Sequence, residues 1–331
     1  MNKVAALSAG ERRDLFQETG ARRGMSPAIA EKDFWVCWVL KRLFEDPELR
    51  GRMVFKGGTT LSKVYGLIDR FSEDIDLVLD WRLLGYGAAL DEEPATSTQR
   101  DKFNKAMNAK AAAYIGGPLL ERLAVTLAGV VGAAVDADDA HTVNITYPAV
   151  FREEYLRPEV RLEIGPLASW VPSAEREIRP YAADSFPAVF DEPVCTVVAI
   201  DAERTFWEKA TILHQQAHRT DAMPLRCSRH YYDLYKLAAS DMGRYAAGDT
   251  RMLAGVVAFK RRFYPSQWAR YQTAVAGTLR LSPREDQLTE LRRDYAAMGV
   301  MIFGEVVEFA EILRGLEELE RRINGGHTAR Q

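Results

Sequence analysis

Two features of the 331-residue sequence predict an α+β fold followed by a helical domain. Stretches with strand-like alternation are confined to the first 200 residues, and everything beyond them shows helical periodicity. At roughly 150 residues per domain, a chain of this length also has room for two cores. The expected division is an α+β domain over 1–200, a helical domain over 201–325 and a disordered tail over 326–331.

Taken in order, Ser8 followed by Glu11 has capping-box spacing and opens a short helix to about Gly20. Ser26-Pro27 opens the next, since proline at the first helical position forfeits no backbone bond. Its apolar residues, including Phe34, Trp35, Val39, Leu40 and Leu43, are dense enough for a buried helix, and Asp46-Pro47 ends it. Residues 52–55 read as a strand, Gly57-Gly58 breaks it, and 59–65 read as a helix entered from a tight turn. Residues 74–80 alternate Asp-Ile-Asp-Leu-Val-Leu-Asp, which is strand periodicity. A loop is expected over 81–98, then a helical stretch over 99–125 interrupted by Gly116-Gly117-Pro118. Residues 143–147, 160–164 and 194–200 complete the strands. Helices are expected over 201–219, 227–241, 248–263, 284–298 and 304–323.

Composition excludes disorder, and no apolar run reaches the ~18 residues of a membrane span. Residues 1–20 lack a signal-peptide core. Cys37, Cys195 and Cys227 form neither a metal spacing nor a disulfide framework, so reduced thiols in a cytoplasmic protein are expected. His214 and His218 stand at i, i+4 with no third ligand, so no zinc site is expected. The net charge of −3, from 44 basic and 47 acidic residues, argues against a dedicated nucleic-acid binder. Its distribution is uneven, however. Residues 70–100 carry seven acids against three arginines, whereas 201–270 carry twelve Lys/Arg against seven Asp/Glu. Such a basic block can hold an anionic partner locally.

The informative segment is Lys56-Gly57-Gly58-Thr59-Thr60-Leu61-Ser62-Lys63, followed by Arg70-Phe71-Ser72-Glu73-Asp74-Ile75-Asp76-Leu77. On a strand Asp74 and Asp76 project from one face. Two adjacent carboxylates repel unless a cation neutralises them, and a hard divalent ion such as Mg²⁺ suits carboxylate oxygen. The double glycine allows close backbone approach to a ligand, and the helix start after it presents free N–H groups to phosphate. Lys56 and Lys63 flank this turn and are candidates to help hold phosphate. A phosphate cradle beside an Asp-x-Asp metal site is the layout that phosphoryl or nucleotidyl transfer requires.

Gly-Gly-Thr with Arg-x-Ser-x-Asp-Ile-Asp-Leu resembles the signature of the DNA polymerase β-like nucleotidyltransferase superfamily. More narrowly, it resembles the AbiEii/AbiGii toxin family of abortive-infection and toxin–antitoxin systems, relatives of the MenT-type tRNA nucleotidyltransferase toxins. Two more family motifs have counterparts, Arg204-Thr205-Phe206-Trp207-Glu208-Lys209 and Arg229-His230-Tyr231-Tyr232-Asp233-Leu234, so the four span residues 57–234 in family order. The resemblance implies a nucleotidyltransferase-like mixed β-sheet with flanking helices, and a helical domain that completes the active site. It implies that Gly57, Gly58 and Thr59 hold the nucleotide phosphates and that Asp74 and Asp76 bind Mg²⁺ or Mn²⁺. Lys209 would contact a triphosphate oxygen, and Asp233 would position Lys209 or the base. Arg70 and Ser72 match the family pattern and, with Lys63, join the expected nucleotide-binding set. The superfamily often has a third carboxylate on a neighbouring strand. Glu163 is the candidate, as metal ligand or general base, although an Arg161–Glu163 pair facing solvent is equally consistent with the pattern.

The activity so implied is that of a toxin: a Mg²⁺-dependent transfer of NMP from an NTP to an acceptor, foremost the tRNA 3′ end, which blocks translation. A cognate antitoxin encoded nearby is the expected protein partner. RNA phosphate would lie along the basic block, with Arg219, Arg226, Arg229, Arg261 and Arg262. Two other readings stay open: transfer to a protein hydroxyl, and a GTP-binding regulatory module without turnover.

Overall fold

The structure, a computed structural model, describes residues 1–87, 96–153 and 156–325; the tail expected over 326–331 lies outside them. Internal contacts divide the chain into two units. The first comprises Met1–Val64 and Phe71–Ile200, the second Tyr65–Arg70 and Asp201–Gln331. The chain thus gives a six-residue segment to the second unit just before the Asp74–Asp76 strand.

The first unit is built on a seven-stranded mixed sheet, the mixed sheet with flanking helices that the family resemblance implies. Its strands are β1 (Met53–Lys56), β2 (Asp74–Leu79), β3 (Gly132–Val135), β4 (Thr142–Thr146), β5 (Glu159–Gly165), β6 (Ser173–Ile178) and β7 (Cys195–Ile200). They lie in the order β3-β4-β5-β2-β1-β7-β6. Central β2 is antiparallel to β1 and parallel to β5, and β1 is parallel to β7. Alternation gives each central strand two different faces. Ile75, Leu77, Phe55, Leu162 and Ile164 are buried on one, where the helix Pro27–Glu45 packs on β5 and β7. On the other face Val54, Val78 and Ile200 form a small apolar cluster with Trp170 and Val198. Farther along that face, next to the glycine turn, lie Asp74 and Asp76.

Helix Pro27–Glu45 carries three buried ionisable residues in succession, and each is satisfied within the unit. Glu31 accepts the backbone N–H groups of Val150 and Phe151, Lys32 pairs with Glu73 at 2.8 Å, and Asp33 pairs with Lys63 at 2.7 Å. The predicted capping box at Ser8 and Glu11 is present and starts the helix Ala9–Arg23.

The structure departs from the sequence reading at β3 and β6, which were not expected. Both are edge strands with little burial, so they lack the hydrophobic alternation that marks β2 and β5. Gly116-Gly117-Pro118 does not break its helix. The π turn Ile115–Leu119 carries the chain from Ser97–Tyr114 into Leu120–Thr126, accommodating the bond that Pro118 cannot donate.

The second unit is helical. Ser228–Ala239 packs against Ala202–Ala217, Asp241–Ala246, Leu288–Met298 and Phe309–Gly325, and Thr250–Phe263 packs on Ala202–Ala217. Among the described residues no helix is long and apolar enough to cross a membrane.

Candidate active site

In the first unit, sheet register assembles a polar patch. Asp76 lies opposite Lys56 on β1 and opposite Glu163 on β5, and Asp74 lies opposite Arg161. Directly paired residues share a face, so Lys56, Asp74, Asp76, Arg161 and Glu163 all stand on the same side of the sheet. The Arg161 guanidinium is set among the carboxylates, 4.0 Å from Asp74, 3.9 Å from Glu163 and 4.0 Å from Asp136. Both readings of Glu163 therefore survive: it faces Asp76 and it also neighbours Arg161.

The glycine turn abuts this patch. Gly57 has φ 85°, a conformation that residues with a Cβ rarely adopt. A Cβ placed there would stand 1.9 Å from Asp76 Oδ2 and 2.7 Å from Asp76 Cγ. Glycine is thus required twice, for the backbone angle and for the carboxylate beside it. Gly58 begins the short helix Gly58–Lys63. The Thr59 hydroxyl donates to the Asp74 carbonyl at 2.5 Å and lies 3.3 Å from the Ser72 carbonyl, so it fastens the turn to the start of β2. Any phosphate contact from Thr59 is thereby left to its backbone.

Lys63 lies elsewhere than its place beside the turn suggests. It is the last residue of that helix, and its ammonium is buried against Asp33 and 3.5 Å from the centroid of the Tyr181 ring. Burial would lower the Lys63 pKa, but Asp33 more than offsets this and raises it. In this structure the Lys63 charge is taken up by a buried ion pair, away from the glycine turn beside which the sequence places it.

Among the described residues no group of three His, Cys, Asp or Glu side chains stands close enough to enclose a metal ion. The donor chemistry nevertheless fits a hard divalent cation. Asp74 and Asp76 offer carboxylate oxygen from one strand face, Glu163 faces Asp76 across the register, and a cationic guanidinium already neighbours two of the three.

In the second unit, Asp233 on helix Ser228–Ala239 is fully buried between two cations. Arg70 grips it with Nε–Oδ1 at 2.6 Å and Nη2–Oδ2 at 2.8 Å, and Lys209 Nζ meets Oδ2 at 2.8 Å. Burial alone would raise the Asp233 pKa, but Arg70 and then Lys209 hold it below the usual carboxylate range. Lys209 itself is shifted down, chiefly by burial, against the opposing pull of Asp233. Lys209 Nζ also lies 3.2 Å from His230 Nδ1. Burial first, then Lys209 and Arg229, push the His230 pKa well down, so a neutral ring accepts from the ammonium. Arg70, Lys209 and Asp233 thus form one cluster with a net positive charge. Arg70, read from sequence as a nucleotide ligand, is here the bidentate clamp on Asp233.

The sequence profile described as "Nucleotidyl transferase AbiEii toxin, Type IV TA system" matches residues 38–315, most of the chain. The chain belongs to the AbiEii nucleotidyltransferase toxin family. Among solved structures it is similar to MenT4, a nucleotidyltransferase toxin from Mycobacterium tuberculosis H37Rv. The two share 17% identity with a TM-score of 0.51, over 93% of this chain and 88% of that one. A nucleotidyltransferase structure from H. pylori matches at 14% identity and a TM-score of 0.43, over 91% of this chain and 96% of the other. Comparison with curated protein sequences finds no match. Family membership makes this chain a nucleotidyltransferase toxin of a type IV toxin–antitoxin system, a class that has a cognate antitoxin.

Two residues of the clusters described above are not marked by the motifs as individuals. Arg161 was noted only as a companion of Glu163, yet register places it opposite Asp74. His230 lies inside the Arg-x-x-x-Asp-Leu motif, and its scarcity could have singled it out, as one of five histidines in the chain.

Proposed function

We propose that this AbiEii toxin transfers a nucleoside monophosphate from an NTP to the 3′ end of a tRNA, with Mg²⁺ or Mn²⁺ bound by Asp74 and Asp76 and Glu163 as third carboxylate. The observation that carries the reading is the register around β2. It groups these three carboxylates on one sheet face, with the Gly57 backbone against Asp76. Nucleotidyl transfer needs such an arrangement: anionic oxygens to fix the cation, and a glycine backbone able to approach phosphate closely. When bound, the cation neutralises phosphate charge and favours ionisation of the acceptor hydroxyl.

In the reaction the acceptor 3′-oxygen attacks the α-phosphorus, a new P–O bond forms, and the bond to the β-phosphate bridging oxygen breaks. Pyrophosphate leaves and the hydroxyl proton is lost. Glu163 is a candidate to receive that proton, since a carboxylate facing the metal ligands is well placed as a base. Backbone N–H groups at Gly57, Gly58 and Thr59 would hold phosphate oxygens, and Ser72 stays in the proposed nucleotide set. Lys209 is proposed to meet triphosphate charge, with Asp233 and Arg70 as the residues that position its ammonium.

Radiolabelled NTPs supplied singly with total tRNA test the reading, with and without EDTA, in wild type and Asp76→Ala. Label should enter tRNA only in wild type with divalent cation present. Absence of label from every RNA would refute the tRNA acceptor, and its appearance on protein would replace it with a protein hydroxyl.

A further inference from the structure

On the helical unit one buried histidine arranges several arginines. His214 lies on helix Ala202–Ala217 and is wholly buried. Its Nδ1 accepts the backbone N–H of Arg280 at 3.0 Å, so the ring proton sits on Nε2, which lies 3.2 Å from the Arg270 carbonyl. A single imidazole therefore staples two separate segments to one helix. Arg270 has φ 47°, one of two non-glycine residues with positive φ among the described residues. Its carbonyl also accepts from the Thr273 hydroxyl and amide, both at 2.9 Å, and the neighbouring Tyr271 hydroxyl donates to Gln215 at 2.6 Å. These bonds hold Arg270 in a backbone conformation that a side chain ordinarily disfavours.

The result is a concentration of guanidinium groups. Arg270, Arg280 and Arg284 all bear on His218, whose pKa is lowered by burial and then by these charges. The His218 ring packs edge-on against His214 at 4.8 Å, and its buried Nε2 has no hydrogen-bond partner. Arg284 donates to the Arg219 carbonyl, and the Arg219 guanidinium lies 5.3 Å from the centroid of Trp268, a ring 42% exposed. Arg284 pairs with Asp286. Among the described residues no carboxylate forms an ion pair with Arg219, Arg270 or Arg280. Arg219, Arg270 and Arg280 keep like charges that no ion pair among the described residues offsets, so folding alone does not explain why the chain fixes them together.

We propose that Arg219, Arg270 and Arg280 around Trp268 form a docking surface for single-stranded acceptor RNA, with phosphates on the guanidinium groups and a base stacked on Trp268, while Arg284, held by Asp286 and the Arg219 carbonyl, supports the surface. This rests on the RNA-acceptor reading and adds to it where the RNA is held. Guanidinium forks match phosphate oxygen, and an exposed indole flanked by arginine offers any base a stacking face. A bare phosphate ligand would have no use for the indole. The surface also differs from the stretch that sequence suggested: Arg219 stays, while Arg280 comes from beyond the basic block.

The test is fluorescence anisotropy of the full chain with 5′-labelled tRNA and a labelled single-stranded RNA, over a series of salt concentrations. The variants are Trp268→Ala, Arg270→Ala/Arg280→Ala and Arg270→Lys/Arg280→Lys, each checked for folding by circular dichroism. Losing two phosphate contacts should reduce the slope of log K against log salt by about 1.4 for single-stranded RNA. The lysine pair should keep the wild-type slope, because charge is retained. Trp268→Ala should weaken binding by roughly tenfold with the slope unchanged. If wild type neither binds nor labels RNA, the acceptor reading falls and this surface with it. If wild type binds and labels RNA while the arginine and tryptophan variants match it in affinity and slope, the surface alone is overturned.

Discussion

Replacing Asp233 by Asn removes one negative charge while keeping shape. It leaves Arg70 and Lys209 as buried cations without a counter-charge, their side chains 5% and 8% exposed and Asp233 itself 0%. Taking away one partner of a buried ion pair costs about 3–5 kcal/mol, and here two cations lose the same partner. Against a typical total of ~5–15 kcal/mol, this would bring the helical unit close to its unfolding threshold. Equilibrium urea unfolding by circular dichroism measures the loss. Asp101→Asn is the control, because the Lys105–Asp101 pair is exposed at 76% and 63%, so solvent screens it and its loss should barely move the unfolding midpoint. Adding Lys209→Met to Asp233→Asn removes one stranded cation and should recover part of the loss. Acid gives a second check. The Asp233 pKa is depressed in the folded state, so its contribution is present above the unfolded carboxylate pKa and is lost as pH falls through the folded value. A loss in Asp233→Asn no larger than in Asp101→Asn would refute the reasoning and leave Asp233 without a structural role.

Gly57→Ala should abolish nucleotide transfer and cost about 1–3 kcal/mol of stability, since its Cβ would collide with Asp76 as well as strain the backbone. Gly66→Ala, at φ 60° with open space around it, isolates the backbone cost; equal effects of the two on transfer would contradict the Asp76 contact. The His214 pKa is lowered from 6.5 to about 4, so stability is complete above pH 6.5 and falls as pH drops toward 4. The expected loss between pH 7 and pH 5 is at most about 2 kcal/mol, and urea melts of His214→Gln should show a shallower pH dependence by that amount. Lys63→Met should destabilise the sheet unit by about 3–5 kcal/mol by leaving Asp33 buried and unpaired, and Lys63→Met/Asp33→Leu should regain most of it. A Lys63→Met protein of full stability with a raised KM for NTP would return Lys63 to the nucleotide site.

The elements legible in the sequence are those whose two faces differ. Strand β2 alternates buried Ile75 and Leu77 with half-buried Asp74 and Asp76, and β5 does the same with Leu162, Glu163 and Ile164, so period-two patterning marks both. Edge strand β6, with Glu175, Arg176 and Glu177 exposed in a row, carries no such signal; its place is set by pairing with β7. Pro118 misleads in the opposite direction. A proline after two glycines reads as a break, yet a π turn absorbs it and the helical path continues from Ser97–Tyr114 into Leu120–Thr126.

At the candidate site, sequence locates the motifs but not the work each side chain does, because that is decided by partners far away in the chain. Lys63 and Lys209 look alike in the sequence, each a lysine on a helix beside a motif. Lys63 faces Asp33, thirty residues earlier, and has a single carboxylate of its own in the core. Lys209 has no carboxylate of its own in this way but shares Asp233 with Arg70. The same logic separates His214 from His230. His214 bonds through both ring nitrogens to backbone and fixes the two arginine segments, whereas His230 takes a bond from the Lys209 ammonium and helps set its direction. In each pair the chemistry follows from whether partners exhaust the group, and that depends on contacts across dozens of residues that no local spacing encodes.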